Sequence, residues 1–373
     1  MMNTLLVTND FPPRPGGIQA FVHQLALRIS TDRLVVFASS SPGYVEFDAQ
    51  QPFLVIRHPG PMLLPTPTVA RRVAKLVTTY ACDTAWFGAA APLGLLAPAL
   101  RRAGVQRIIA QTHGHEVGWA ALPGARSLLR RIAAQVDVVT YLGEYTRQRL
   151  AWALGERTEL AWLPPGVDTE AYSPDVDGSS VRRRHGLGNR PVVVCVSRLV
   201  PRKGQDMLIR SLPVVQRSVP GATLLLVGGG KDEGRLRRLA RSVGAAEHVV
   251  FTGVVPSAQL PSHYAAGDVF AMPCRTRRAG MDVEGLGIVY LEASATGLPV
   301  LAGNSGGAPD AVRHGETGYV IDGRDVDEIA ARQVEVLTDP VLAAKMGQAG
   351  RAWVERAWRW DTIAARMTCL LRP

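Results

Sequence analysis

Only four cysteines occur in the 373 residues, and Cys82, Cys195, Cys274 and Cys369 lie too far apart for a CxxC pair or a zinc-ligand spacing. That excludes a disulfide scaffold and argues against a structural metal. Cys195, inside Val192-Val-Val-Cys-Val196, reads as a small buried hydrophobe, and this usage fits a reducing cytoplasm. No stretch reaches the roughly 18 uninterrupted apolar residues of a spanning helix. The first residues, Met1-Met-Asn-Thr-Leu-Leu-Val-Thr8, lack the basic segment of a secretory signal and resemble a first strand. The expectation is a cytoplasmic protein whose membrane contact, if any, is peripheral.

Acidic residues are also in deficit, 32 against 42 basic, for a formal charge of +10. Residues 1–168 hold 16 basic and 11 acidic side chains and the remainder 26 and 21, so neither half monopolises the excess. Such a field favours anionic ligands: nucleotide phosphates, acidic headgroups or nucleic acid. A nucleic-acid-binding protein is the weakest of these readings, because the charge is dispersed and no aromatic-basic interleave or known motif accompanies it. The phosphate motifs are missing too. A GxGxxG beginning at Gly228 would need glycine at 233, where Glu233 stands, and no GxxxxGK[ST] occurs.

What is present is a 47% hydrophobic, 20% charged composition, typical of folded proteins, in a chain long enough for two cores. Short β-branched runs alternate with helical-period segments throughout, the pattern of parallel sheets covered by helices. Strands are expected at Leu5–Thr8, Leu34–Ala38, Asp83–Phe87, Arg107–Gln111, Val136–Tyr141 and Leu160–Leu163. The pattern restarts at Val192–Ser197, Thr223–Val227, His248–Thr252, Asp268–Met272, Pro299–Leu301 and Gly318–Ile321. Between the halves, Pro164 to Ser180 is rich in Pro, Gly, Ser and Asp and reads as a linker.

Four places carry chemistry. Gly16-Gly17 sits between the first strand and the first helix, where a ligand phosphate can approach backbone N–H groups, although a tight turn alone would also explain the pair. Ser197-Arg-Leu-Val-Pro-Arg-Lys-Gly204 follows a strand of the second half, which places Arg198 and Lys203 at the sheet edge where α/β folds bind ligands. Solvated loop cations are the alternative. Glu284-Gly-Leu-Gly-Ile-Val-Tyr-Leu-Glu292 spaces two carboxylates by a little over two helical turns around a helix start. Glu292 there could accept both hydroxyls of a ribose while the amides of Gly285, Leu286 and Gly287 face an anion. Finally, His113 and His115 in Gln111-Thr-His-Gly-His-Glu116 follow a strand and read either as ligand contacts or as exposed loop residues. They are a poor metal set. The strings Asp175–Asp177 and Asp325–Asp327 read as linker and helix-cap acids and not as a Mg²⁺ site. Val69–Val77, with Arg71, Arg72 and Lys75, and Arg126–Ile132 are basic amphipathic stretches able to lie on an anionic bilayer, or simply solvated helix faces.

With Gly16-Gly17, Arg198, Lys203, Glu284 and Glu292 in this order, the sequence resembles the retaining GT-B glycosyltransferases of family 4 over essentially its whole length. The resemblance implies an α/β fold of two facing Rossmann-like, doubly wound parallel-sheet domains with a deep cleft between them. Residues 1–168 would bind the acceptor and 169–356 the nucleotide sugar, with a helix at about 357–373 packing back on the first domain. It implies that Gly16 and Gly17 lie near the donor diphosphate, that Arg198 and Lys203 neutralise it, that Glu292 holds the ribose and that Glu284 approaches the sugar. Gly230, Val254, Val255, Gly285, Leu286 and Gly287 would complete the donor site. His113 would touch the sugar and Asp10 would sit near the acceptor. Thr8–Pro13, Thr112–Trp119 and Arg275–Gly285 look more closely like the actinobacterial mannosyltransferases of the phosphatidylinositol mannoside pathway. That implies GDP-mannose as donor, a monomannosylated phosphatidylinositol as anionic lipid acceptor, front-face retention, no metal cofactor and work at the inner face of the plasma membrane. A UDP-sugar transferase with another acceptor and a nucleotide-sugar epimerase are the same-fold alternatives.

Overall fold

Continuous runs of valine, leucine and isoleucine become strands buried on both faces, as helix-covered parallel sheets require. The computed structural model describes residues 3–155 and 158–372. Its first sheet contains β1 (Thr4–Thr8), β2 (Leu34–Ser39), β3 (Leu54–His58), β4 (Thr84–Phe87), β5 (Arg107–Ala110), β6 (Val138–Tyr141) and β7 (Glu159–Trp162), in the order β3-β2-β1-β4-β5-β6-β7. The second contains β8 (Val192–Val196), β9 (Thr223–Val227), β10 (Val249–Phe251), β11 (Val269–Met272), β12 (Val300–Gly303) and β13 (Gly318–Ile321), in the order β10-β9-β8-β11-β12-β13. Every neighbouring pair is parallel. In each sheet the strand order reverses beside the first strand, at β1/β4 and at β8/β11. The loops leaving those strand ends mark the places where doubly wound folds bind ligands.

The chain divides into two compact units: residues up to Gly166 together with the segment from Trp360 onward, and Val167–Arg359. The boundaries thus fall at 166 and 359, where the family resemblance implied 168 and 356. The tryptophan-rich tail is shared between the units. Trp353 and Trp358 pack edge to face, 5.5 Å between centroids, in the second unit. The helix Trp360–Leu371 belongs to the first, where Trp360 meets Phe21 at 5.9 Å and Arg107 Nε donates to the Leu370 carbonyl at 3.0 Å.

Candidate active site

In the second unit β8 ends in a loop closed by Gly204, whose φ of 80° is a left-handed conformation. A Cβ there would lie 2.0 Å from the Pro273 carbonyl oxygen, so glycine lets the loop after β8 press against the loop after β11. Two further bonds fasten these loops. The Arg275 amide donates to the Arg202 carbonyl at 2.8 Å, and the Arg275 guanidinium grips both oxygens of the Asp206 carboxylate at 2.9 and 2.7 Å. The contact delivers Glu284 to two cations: its Oε2 accepts from Lys203 Nζ at 2.6 Å and from an Arg202 guanidinium nitrogen at 2.7 Å. Burial alone would push the Glu284 carboxyl up, but Lys203 and Arg202 outweigh it and hold the group below the ordinary carboxylate range. Arg202 also reaches Asp282 at 3.3 Å. Sequence reasoning passed over Arg202, because its partners lie some eighty residues away. Arg198, by contrast, is exposed and forms no ion pair among the described residues.

Glu284 stands outside the helix, which runs from Ile288 to Ala295 behind a left-handed Gly287. The helical azimuth expected to align the two carboxylates therefore does not apply; a loop places the first and a helix the second. The Glu284 carbonyl accepts from the Gly307 amide at 2.9 Å, and Cβ atoms at Gly306 and Gly307 would fall 2.1 and 2.2 Å from the carbonyl oxygens of Glu284 and Gly285. Those carbonyls face the glycine turn, so across each planar trans peptide the amides of Gly285 and Leu286 point the other way. Among the described residues neither donates a hydrogen bond, nor does the Gly287 amide. This is a row of backbone donors suited to an anion.

Glu292 is in the opposite electrostatic state. It has no ion pair among the described residues, and its Oε2 accepts from the Tyr264 hydroxyl at 2.6 Å, while the Tyr172 ring packs edge-on against Tyr264 at 5.5 Å. Burial raises its pKa, and the two phenols offset that only in part. The glycines after β9 have a packing role. Cβ atoms at Gly228 and Gly230 would each lie 2.3 Å from a carbonyl oxygen, of Ser197 and Leu199 respectively, so they let the turn lie on the Arg198 loop. Val254 is 84% exposed beyond β10, with Val255 partly exposed beside it.

In the first unit, Gly16 and Gly17 open the helix Gly17–Ala26. A Cβ on Gly16 would strike the Gln19 side chain, whereas one on Gly17 would meet nothing within 4 Å, so packing asks for no glycine at 17. Gln19 Nε2 donates to Asp10 Oδ1 at 2.8 Å and fixes that carboxylate. His113, half-buried after β5, has its Nε2 2.5 Å from the Gly88 carbonyl oxygen. A carbonyl only accepts, so Nε2 carries the proton and Nδ1 of the neutral ring is an acceptor. Burial is the largest influence on His113 and lowers its pKa. Its amide donates to Oε2 of the fully buried Glu116 at 2.9 Å.

The four basic residues expected on a lipid surface separate into two kinds. Arg71 and Lys75 are exposed on the helix Pro67–Thr79. With Arg102 they rim an alanine-lined groove of about 620 Å³. Arg72 turns inward over the Phe37 ring at 5.3 Å, and Arg126 lies over Trp152 at 4.4 Å. Asp177 and Asp325 accept from nearby backbone amides, Asp325 capping the helix Val326–Thr338. Among the described residues no helix is long and apolar enough to cross a membrane.

Comparison with known proteins follows the same division. Residues 15–171 match the family described as Glycosyltransferase Family 4, and residues 179–353 match Glycosyl transferases group 1. The GDP-mannose-dependent alpha-(1-6)-phosphatidylinositol monomannoside mannosyltransferase of Mycolicibacterium smegmatis is 56% identical, over 98% of this chain and 97% of its own length. The GDP-mannose-dependent monoacylated alpha-(1-6)-phosphatidylinositol monomannoside mannosyltransferase of Corynebacterium glutamicum is 47% identical over 99% and 97%. Among solved structures, Anabaena HepE in complex with UDP superposes with a TM-score of 0.85 at 21% identity, covering 99% of both chains. A glycosyltransferase from Rickettsia africae does so at 0.84 and 16%, covering 99% and 98%. The fold is that of the GT-B enzymes, and the chain belongs to the family 4, group 1 glycosyltransferases.

Proposed function

We propose that this enzyme transfers mannose, with retention, from GDP-mannose to a phosphatidylinositol monomannoside at a membrane surface. The near full-length likeness to mycobacterial and corynebacterial mannosyltransferases supports the donor and acceptor. The observation that carries the chemistry is the rim at β8/β11, where Arg198, Arg202, Lys203 and the unbonded amides of Gly285, Leu286 and Gly287 gather positive potential at one sheet edge. When the bond from sugar C1 to the phosphate oxygen breaks, the leaving diphosphate gains negative charge, and fixed donors at that point lower the barrier. The acceptor oxygen bonds to C1 on the face the phosphate leaves, and its proton passes to a phosphate oxygen. Glu292 holds the ribose and Glu284 orients Lys203 and Arg202 toward the transferred sugar. His113 accepts a hydrogen bond from a sugar hydroxyl through Nδ1, and Asp10 positions the acceptor. Preorganised cations and amides do the work a divalent ion does in other transferases, so the reaction is metal-independent. The groove flanked by Arg71 and Lys75 supports contact with anionic headgroups.

The test is transfer to vesicles containing the monomannosylated lipid, with GDP-mannose and UDP-glucose in parallel, with and without EDTA. The expected result is a mannosylated lipid from GDP-mannose alone, at equal rates with the chelator. Transfer from UDP-glucose, or activity lost to EDTA and restored by Mg²⁺, overturns the corresponding part of the proposal.

A further inference from the structure

Glu292 is a carboxylate without a cation among the described residues, held instead by the Tyr264 phenol of the short helix Leu260–Ala265, against which Tyr172 of the Pro164–Ser180 stretch packs edge-on. Leaving a half-buried acid without a counter-ion is costly, and the arrangement needs a reason. We propose that Tyr264, assisted by Tyr172, is a positioning residue for nucleotide recognition, aiming the Glu292 carboxylate so that its remaining acceptor sites meet the two ribose hydroxyls. The inference rests on the reading of Glu292 as the ribose holder.

A carboxylate offers about four acceptor positions. The Tyr264 phenol uses one and leaves about three, enough for a vicinal diol. An arginine or lysine in its place would form an ion pair and compete for all of them. A phenol orients without competing, because burial and the neighbouring Glu292 keep both hydroxyls protonated.

The Tyr264 ring cannot swing away. It is fully buried, stacked on Phe270 of β11 at 5.7 Å and met edge-on by Tyr172 at 5.5 Å. Tyr172 is anchored in turn, since one Arg351 guanidinium nitrogen donates to the carbonyls of Tyr172 and Ala295, at 2.6 and 2.8 Å. Arg351 thereby ties the Tyr172 segment to the end of the helix that carries Glu292.

Calorimetric titration of the full chain with GDP and with 2′,3′-dideoxy-GDP tests this. The wild type is expected to prefer GDP by about ten- to a hundredfold, the worth of hydrogen bonds to a charged acceptor. Tyr264→Phe is expected to shrink that preference at least about fivefold by weakening GDP alone, and to add nothing further in a Glu292→Gln background. A preference retained in Tyr264→Phe overturns the positioning role and leaves the Glu292 reading standing, as does an equal loss for both nucleotides. A wild type that binds both nucleotides equally removes the Glu292 reading and the inference with it. If Tyr264→Phe does not fold, Tyr172→Ala, which removes the ring packed edge-on against Tyr264, is read by the same criteria.

Discussion

Glu284 and Glu292 are eight residues apart, and the difference between them lies in their partners. Glu284 stays ionised between Lys203 and Arg202, so its removal would leave two closely placed cations without their shared anion. Breaking a buried pair from one side costs about 3 kcal/mol. For a unit of this size that corresponds to a fall in Tm of roughly 6–12 °C for Glu284→Gln. The pH dependence follows from the direction of the shift. A carboxyl whose folded pKa is depressed adds stability above its unfolded value, 4.5 for a glutamate, and loses it as pH falls through the folded value. The gap between wild type and Glu284→Gln in thermal melts is therefore full at neutral pH and closes in acid below that value. A gap that stayed constant down to acid would show that the Glu284 charge is not what stabilises the loop.

At the scale of elements, what was legible and what was not follow a common cause. Strands with continuous apolar runs, such as Val192-Val-Val-Cys-Val196, announce themselves, and every strand read from the sequence has a counterpart. The missed one, β3, is an edge strand whose Leu54 is exposed and whose Arg57 and His58 break the pattern. Its Arg57 is nevertheless buried, bonded to Asp48 at 2.7 Å and to the Ser39 and Pro12 carbonyls. Such long-range partners leave no local trace, which is also why Arg202, Tyr264 and Tyr172 went unmarked while Glu284 and Glu292 did not. The contact of the β8 and β11 loops gives the element-level prediction. Gly204→Ala forces a Cβ against the Pro273 carbonyl in a left-handed conformation, so it should lower Tm and GDP affinity together. Gly244→Ala has the same sign of φ, 73°, with nothing within 4 Å, and should cost only about 1 kcal/mol of backbone strain and leave GDP affinity alone. Equal effects on nucleotide affinity would mean the loop contact does not shape the site.

Across the whole molecule the charge of +10 is spread over both halves, so long-range attraction to anionic surfaces is general while docking is local. Each basic residue near an anionic bilayer is worth about 1 kcal/mol and is screened within about 8 Å at physiological ionic strength. Exchanging Arg71 and Lys75 for glutamate should reduce co-sedimentation with phosphatidylinositol vesicles at least about tenfold at low salt. Raising salt should do the same to the wild type. Equal binding to neutral vesicles would contradict the electrostatic reading. The helix Trp360–Leu371 has a different consequence, one of timing. Its buried Ile363, Ala364, Met367 and Leu371 complete a core begun by the first strands, yet a ribosome makes them only after the whole second unit. The amino-terminal unit must wait, incomplete, while nearly two hundred intervening residues emerge, whereas the second unit has its whole sequence before synthesis ends.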